Sequence, residues 1–595
     1  MIDSTSPFVL LDDARSGGAA ARLFTRPVRI ATARDAAEVR ALGGFVAAAR
    51  AEGMPVAGFL AYEAGHAFEP KLARLERNAA PGEAPLGWFA AFAEVRTIAS
   101  RDVAALLPDP AGAWAGAPEP LIARADYDRA LARVKDYIAA GDIYQANLTF
   151  PARVAIAGDP LAFYARLRRA AAGWGGVVFT GEHWLLSASP ELFYTREWER
   201  LTARPMKGTA ARRADRSEDA AAARHLTEDP KERAENLMIV DLLRNDFSRV
   251  AAPGSVAVPR LFEVETYPTV HQMTSTVTAT LADPALPPFG VVEALFPCGS
   301  VTGAPKIRAM EIIAEVETAP RGPYTGSIGG WIDAGESFNV AIRTLVMGVG
   351  DSHARLGLGS GIVADSQAAA EWQECLAKSA FVRHGATRFD LIATMRFDPV
   401  DGIADLEHHL TRMKTSAEAL GFRFERHGVR NELQAATFRL SAARKLRLLL
   451  SPSGAVAIEV RPLPPQPAGT VDVALSPLPV SPADFRLRHK TSDRAFYDAA
   501  RRAGGLFETL FVDLEGFLTE GSFTNLFVER DGVLVTPPLA RGLLPGVLRA
   551  RLIEENKAVE GDLTAADLAG GFLIGNSVRG LIPARLVAGS GAPGL

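Results

Sequence analysis

The sequence predicts an α/β (α+β) chain divided into domains, and three observations carry that prediction. At 595 residues the chain is longer than a single hydrophobic core usually supports. From about residue 120 to 385 amphipathic helical spacings mix with short β-rich runs, with no low-complexity insert. Near residues 383–402 the texture shifts through Arg383-His384-Gly385 and Asp398-Pro399-Val400-Asp401-Gly402, and a fresh helical spacing opens at Leu406, Leu410, Met413 and Ala417. The expected division is a first domain over 1–385, a linker over 386–400 and a second domain over 401–595. Within the second, Arg461-Pro462-Leu463-Pro464-Pro465-Gln466-Pro467 reads as a connector between two subdomains.

Composition narrows the partners. A hydrophobic content of 48% suits ordinary cores, and a net charge of -4 gives no cationic excess for nucleic acid or an anionic membrane. A small ligand is expected instead. The polar start Met1-Ile2-Asp3-Ser4-Thr5-Ser6-Pro7 lacks the basic and apolar regions of a secretory signal, and no apolar run reaches spanning length, so the expected compartment is cytoplasmic. Only two cysteines occur, Cys298 and Cys375, which fits a reducing compartment and packing roles.

Taken in order, the elements carry candidate chemistry. Pro108-Asp109-Pro110-Ala111-Gly112 and Ala117-Pro118-Glu119-Pro120 read as a turn-rich loop inside the first domain. Lys207, in Pro205-Met206-Lys207-Gly208-Thr209, reads as a solvated cation, a phosphate contact or a nucleophile. Asp229-Pro230-Lys231-Glu232 is a helix start, with Asp at the N-cap and Pro at the first helical position, and Leu237, Ile239, Val240 and Leu243 are its expected buried positions. Glu235 follows Glu232 one turn on, and Glu371 and Glu374 repeat that spacing on a second predicted helix after Ser366. Two such pairs can converge on a hard cation such as Mg²⁺, with Glu235 and Glu374 as the better ligands. The same residues also read as a capping box at Glu232 and an ion pair from Glu374 to Lys378.

Further along, Gly357-Leu358-Gly359-Ser360-Gly361 can offer backbone NH groups to an anion, or be only a turn. Arg343 can clamp a carboxylate bidentately. His271, in Tyr267-Pro268-Thr269-Val270-His271-Gln272, reads equally as a proton donor and as a buried structural histidine.

Together, Gly141-Asp142-Ile143-Tyr144-Gln145, Ser187-Ala188-Ser189-Pro190-Glu191, Lys231 to Asp246, Pro297 to Lys306, Ala341 to Thr344 and Gly359 to Lys378 resemble the chorismate-utilising enzymes over most of residues 120–385. Ala61-Tyr62-Glu63-Ala64-Gly65 fits the same family more loosely. The resemblance implies a two-lobed β-sheet sandwich with outer helices. Gln145 stands where isochorismate and salicylate synthases carry a water-activating lysine, and Lys207 where anthranilate synthases carry a small residue, so the pattern resembles the aminodeoxychorismate synthase component I branch. That branch implies chorismate as substrate and Mg²⁺ held by Glu235 and Glu374, with Glu232 and Glu371 nearby. It implies Glu191 as general acid at the C4 hydroxyl, Lys207 as nucleophile at C2, His271 assisting on the leaving-group side, and substrate contacts from Gly208, Thr209, Tyr324, Arg343, Gly359, Gly361 and Lys378. Ammonia then adds at C4. Neither cysteine stands in a Gly-x-Cys-x-Gly context, so a separate glutamine amidotransferase subunit is implied as the nitrogen source, unless free ammonia suffices.

The second domain carries its own series. Lys490 precedes a predicted helix that ends near Gly504-Gly505, Leu506 to Val512 and Phe517 to Val528 alternate as strands with Glu520 early in the second, and Gly542 to Arg549 reads as a loop entering a helix whose free NH groups suit a phosphate. Gly575-Asn576-Ser577-Val578-Arg579-Gly580 adds a hydroxyl and a cation. In this order they resemble the fold type IV pyridoxal-phosphate enzymes, most closely the aminodeoxychorismate lyases, over about 400–590. The resemblance implies an α+β domain of two subdomains and pyridoxal 5'-phosphate bonded by Lys490. It implies Glu520 at the pyridine nitrogen, Arg412, Val547, Leu548 and Ser577 at the phosphate, Arg579 at a substrate carboxylate, and a homodimer formed through this domain. The domain is short for this family, and one departure is Ala393, in Leu391-Ile392-Ala393-Thr394, where a glutamate is usual before the threonine of the opening strand. The leading expectation is a bifunctional enzyme making p-aminobenzoate from chorismate. Its rivals are an anthranilate synthase fused to a transaminase-like domain, and a synthase whose second half is a degenerate interaction module.

Overall fold

The computed structural model describes residues 2–587 apart from 16, 171–172, 214, 267–269 and 334, with the side chains of residues 170, 209, 211, 231 and 270 also outside the description. The motif residues Tyr267, Pro268 and Thr269 and the side chain of Thr209 therefore lie outside the described residues. Two compact units are present.

The first unit comprises residues 1–107, 117–154 and 164–385. Its frame is a ladder of antiparallel strands. Phe8–Asp13 pairs with Ala21–Ala33 on one side and Trp174–Phe179 on the other. From Ala21–Ala33 the pairing continues through Gly87–Ile98, Val56–Leu60, Ser327–Ile332, Gly335–Asn339 and Leu192–Glu197 to Arg200–Arg204 and Val270–Thr280. From Trp174–Phe179 it continues through His183–Ser187, Thr344–Gly348 and His353–Ile362 to Gln145–Gly158.

Strand Val56–Leu60 explains why this ladder folds into layers. Side chains alternate across a strand. Val56 and Leu60 enter a core shared with the helices Ala36–Ala51 and Pro230–Ser248, while Ala57 and Phe59 enter a second core with Val9, Phe92, Leu185 and Ile328. Both faces are apolar, so both must be covered. Each large side chain so buried contributes about 1.5–3 kcal/mol.

The helix Pro230–Ser248 begins as its sequence requires, with Asp229 Oδ1 accepting from the Glu232 amide at 3.0 Å. Ile239, Val240 and Leu243 are buried, but Leu237 is 44% exposed and corrects the expected core list. It stands two residues before Ile239, roughly 200° away around the helix, and so on the opposite face.

The second unit comprises residues 108–116, 155–163 and 386–595. The turn-rich stretch Pro108–Gly116, read as a loop of the first domain, belongs here instead. Trp114 packs against the hydrophobic cluster that holds Phe389, Phe422 and Phe485, and Asp109 accepts from Arg486 at 3.0 Å, so apolar packing and an ion pair outweigh sequence proximity.

The expected linker over 386–400 also differs from the structure, because it holds the strand Leu391–Asp398. Leu391, Ala393, Met395 and Phe397 are buried on one face, while Thr394, Arg396 and Asp398 alternate on the other. The polar half of that alternation disguised a period-two strand. It pairs with Gly402–Ile403 and Arg444–Leu450 in a four-stranded sheet with the helices Leu406–Ala419 and Arg426–Thr437. Residues 463–470 then connect to a mixed eight-stranded sheet, in which Val471–Pro477 runs parallel to Glu508–Val512 and Gly580–Leu586. Among the described residues no helix is long and apolar enough to cross a membrane. Both cysteines are buried free thiols.

Candidate active sites

In the first unit the strand Met206–Ala211 pairs with Val270–Thr280, and its register shifts between Met206 and Thr209. The irregularity falls on Lys207-Gly208, where Gly208 takes a φ of 84°. Such a left-handed bulge needs glycine and turns the preceding side chain out of the regular alternation. Gln272 Nε2 fixes the kink by donating to the Gly208 carbonyl at 2.7 Å.

Lys207 is thereby aimed at strand His353–Ile362. A Cβ placed on Gly361 would lie 3.2 Å from Lys207 Nζ and 4.0 Å from Gln145 Oε1, so these two polar groups share the space that a side chain at 361 would fill. Gly359 similarly abuts Thr149, and Gly357 lies directly beneath the Tyr324 ring. Residues 357, 359 and 361 form one face of the strand, a trough floored by backbone.

Glu191 is buried beside this place, and its Oε1 has no hydrogen-bond partner. Ser189 Oγ holds its backbone, accepting from the Glu191 amide at 3.2 Å while donating to the Val340 carbonyl at 2.6 Å. Burial pushes the Glu191 carboxyl up to about 7, against the opposing pull of Ser300 and the Lys207 charge. The same burial, and then the Glu191 charge, raise the Cys298 thiol to about 12, which keeps it a packed, unreactive group.

The four glutamates divide as inner and outer pairs. Glu235 Oε2 lies 3.9 Å from Lys207 Nζ, and Glu374 lies 2.8 Å from Lys378 Nζ, which itself donates to the Gly359 carbonyl at 3.0 Å. Glu235 thus lies beside Lys207 at the trough, while Glu374 makes the i,i+4 ion pair with Lys378 that its spacing also allows. Of the outer pair, Glu371 accepts from Ser366 at 2.8 Å, and Glu232 Oε2 stands over Gly208, next to Lys207. Among the described residues no group of three His, Cys, Asp or Glu side chains gathers as a metal cage, which leaves Glu235 and Glu374 as the expected ligands, with Glu232 and Glu371 on the same two helices. Two hard oxygen ligands fit Mg²⁺, which keeps waters and substrate oxygens in its remaining positions.

Other expected residues fall differently. His271 is buried with both ring nitrogens engaged, Nε2 at 3.0 Å from Asp219 and Nδ1 at 3.1 Å from Thr266, as a structural histidine would be. Arg343 occupies the left-handed region at φ 49°, a conformation a bulky side chain adopts only where its surroundings impose it. Its carbonyl accepts from the Ala188 amide at 3.1 Å.

In the second unit Lys490 follows the short helix Phe485–Arg488. Burial of its amine, reinforced by the charges of Arg412 and Arg494, holds it well below the ordinary lysine range. Glu520, in the strand Leu518–Gly521, is buried and raised to about 7 by that burial, while Tyr497 donates to its Oε1 at 2.5 Å. Arg412 Nη2 is buried without a partner, and Val547 and Leu548 open the helix Val547–Glu554 behind Gly546. Ser577 Oγ reaches the Thr394 carbonyl at 3.4 Å. A buried amine, a buried carboxyl, an orphaned guanidinium and a helix N-terminus fit the aldehyde, ring nitrogen and phosphate of pyridoxal phosphate. Arg579, expected at a substrate carboxylate, instead donates to the Pro465 carbonyl at 2.6 Å.

Comparison with known proteins follows this geometry. Residues 12–384 match the chorismate binding enzyme family. The chain belongs to that family. Residues 390–587 match amino-transferase class IV. Aminodeoxychorismate synthase component 1 of Klebsiella aerogenes is 44% identical over 266 residues, covering 44% of this chain and 58% of that protein. Anthranilate synthase component 1 of Streptomyces coelicolor is 40% identical over 261 residues, covering 43% of this chain and 50% of that protein. The solved anthranilate synthase component I of Streptococcus pneumoniae aligns with a TM-score of 0.51 at 26% identity, over 62% of this chain and 93% of that one. The chain thus spans about half the length of the curated relatives it matches. A chorismate-binding frame of two lobes with outer helices, followed by a fold type IV domain, describes the architecture.

Three groups went unnoticed in the sequence. Tyr497 and Arg494 lie one turn apart, with Arg494 stacked 4.4 Å above the tyrosine ring, and the helical spacing after Lys490 was the available signal. Glu508 accepts from the Thr509, Ser522 and Phe523 amides and the Ser522 and Thr524 hydroxyls, and so shapes the turn behind Glu520. Nothing local marks that role.

An acid at position 191 works only while protonated, so a step that it serves is expected to slow by about tenfold per pH unit above about 7. The initial rate, followed at constant free ammonia, checks this, and Glu191→Gln should lose the dependence along with most of the activity. A flat profile to pH 9 would remove Glu191 from the acid role.

Proposed function

We propose that the chain makes p-aminobenzoate from chorismate in two steps, amination at C4 in the first unit and loss of pyruvate in the second. The observation that supports this most directly is the meeting of Lys207 and Gln145 at Gly361 with buried Glu191 nearby. A lysine at 207 suits nucleophilic attack, whereas a glutamine at 145 supplies no base for water.

In the first step Arg343 and the trough glycines hold chorismate, and the Lys207 amine adds at C2 as the C4 hydroxyl departs with a proton from Glu191. Ammonia then adds at C4, and the C2–N bond to Lys207 breaks. Glu235 and Glu374 would hold Mg²⁺, which supplies charge neutralisation at the ring carboxylate. A glutamine amidotransferase partner would deliver the ammonia.

In the second step Arg412, Ser577 and the start of the helix Val547–Glu554 would hold the phosphate of pyridoxal phosphate, and Glu520 its ring nitrogen. The cofactor supplies an electron sink. Lys490, whose charged form is disfavoured by burial and its cationic neighbours, takes the substrate's C4 proton. Pyruvate leaves as the ring becomes aromatic. The unit is expected to work as a homodimer in the cytoplasm.

Incubating the purified protein with chorismate, Mg²⁺, pyridoxal phosphate and ammonium, with products identified by mass, tests the whole scheme. p-Aminobenzoate with equimolar pyruvate is expected. Accumulated aminodeoxychorismate would reduce the second unit to a non-catalytic module, and anthranilate would overturn the assignment of the first.

A further inference from the structure

Strand His353–Ile362 does not end its useful face at the reaction centre. Arg355 lies on the same face as Gly357, Gly359 and Gly361, about 20 Å along the strand from Gly361 at the rise of an extended chain. Between the two ends the Tyr324 ring sits on Gly357 and Thr149 on Gly359, so the Arg355 end is walled off from Lys207.

At that end there is a cavity of about 300 Å³, bounded by Tyr324, Gly357, Arg355 and His183 together with the apolar side chains of Leu86 and Val346. Its charges are unevenly satisfied. Arg77 pairs with Glu83 at 2.7 Å, Arg153 with Glu119 at 2.8 Å and Arg321 with Glu317 at 2.7 Å, while Asp351 accepts from the Gly348 amide at 2.7 Å. Arg355 is different. It donates to the Pro320 carbonyl, and among the described residues no carboxylate comes within ion-pair distance of it. His183 is 6% exposed, with Nε2 3.2 Å from the Gly82 carbonyl and Nδ1 buried without a partner. A guanidinium with no direct ion pair, attracted only at longer range by Glu63 and by the Arg77-paired Glu83, and a buried unpaired ring nitrogen, set among an aromatic ring and aliphatic walls, are the complement of a flat acid.

We propose that this cavity binds a small aromatic carboxylate, with its carboxylate on Arg355 and its ring between Tyr324 and the apolar wall, at a place separate from the reaction centre. Tyr324 is the partition between the two sites. The inference stands apart from the turnover of chorismate, since binding needs no reaction.

Titration calorimetry of the full chain with benzoate is the test, with benzamide as the uncharged isostere. Benzoate is expected to bind, benzamide is not, and Arg355→Gln should weaken benzoate by about 10- to 100-fold. Arg343→Gln, which alters the reaction centre, should leave benzoate binding unchanged. Ala84→Trp, which fills the cavity from its loop, should abolish binding at an unaltered melting temperature, and so keeps the test decisive if Arg355→Gln fails to fold. Absence of benzoate binding, equal binding of benzamide, or binding lost in Arg343→Gln and kept in Arg355→Gln would each overturn the proposal.

Discussion

Lys207→Ala is expected to lower amination of chorismate by about 10³-fold or more, with KM changed little, as for loss of a group that bonds to the substrate only after binding. Lys207→Arg should be equally inactive. Arginine keeps the charge near Glu235 and can still contact a carboxylate, but its guanidinium is a poor nucleophile at neutral pH. A purely electrostatic lysine would therefore be rescued by arginine, and a nucleophilic one would not. The setting favours the second role: the kink at Gly208 aims the amine at Gly361, where a side chain would otherwise stand. Quantifying aminodeoxychorismate and p-aminobenzoate by mass for both variants checks the prediction. Activity of Lys207→Arg within tenfold of the parent would remove Lys207 as nucleophile.

The second large effect is expected at Lys490. Lys490→Ala should lose the absorbance band of lysine-bonded pyridoxal phosphate and release pyruvate about 10³-fold more slowly, while amination in the first unit continues. Aminodeoxychorismate should then accumulate. The prediction follows from an amine held well below the ordinary lysine range by burial and by Arg412 and Arg494, a shift that favours its action as nucleophile and base. Spectrophotometry of the reconstituted protein and a pyruvate assay measure the two effects independently. An unaltered band in Lys490→Ala would place the cofactor on another residue.

These two lysines stand out in the sequence only through the ordered series of motifs around them, since each alone reads equally as an exposed cation. Lys207 has its glycine beside it, and Lys490 has a helix and a carboxylate strand at regular intervals behind it. What escaped notice depended on contacts between distant segments. The strand Leu391–Asp398 is legible as the second domain's opening strand only through the family resemblance at Leu391-Ile392-Ala393-Thr394, and its pairing with Arg444–Leu450 shows that it belongs to the domain and not to a linker. Trp114 belongs with Phe389 and Phe485, partners far along the chain. Likewise, the inner and outer glutamates have identical spacing, and only the structure shows Glu235 beside Lys207, Glu374 paired with Lys378 on its own helix and Glu371 held by Ser366. His271 was undecidable locally, since its partners Asp219 and Thr266 come from other elements.

The glycine-floored face of strand His353–Ile362 has one further consequence. At positions 357, 359 and 361 the walls of the trough are formed by Tyr324, Thr149 and Lys207, and the floor has no side chain left to shorten. Every substitution there adds atoms. Variation at these three positions is therefore a ratchet that turns toward smaller ligands, and any enlargement of the substrate range must come from the opposite wall.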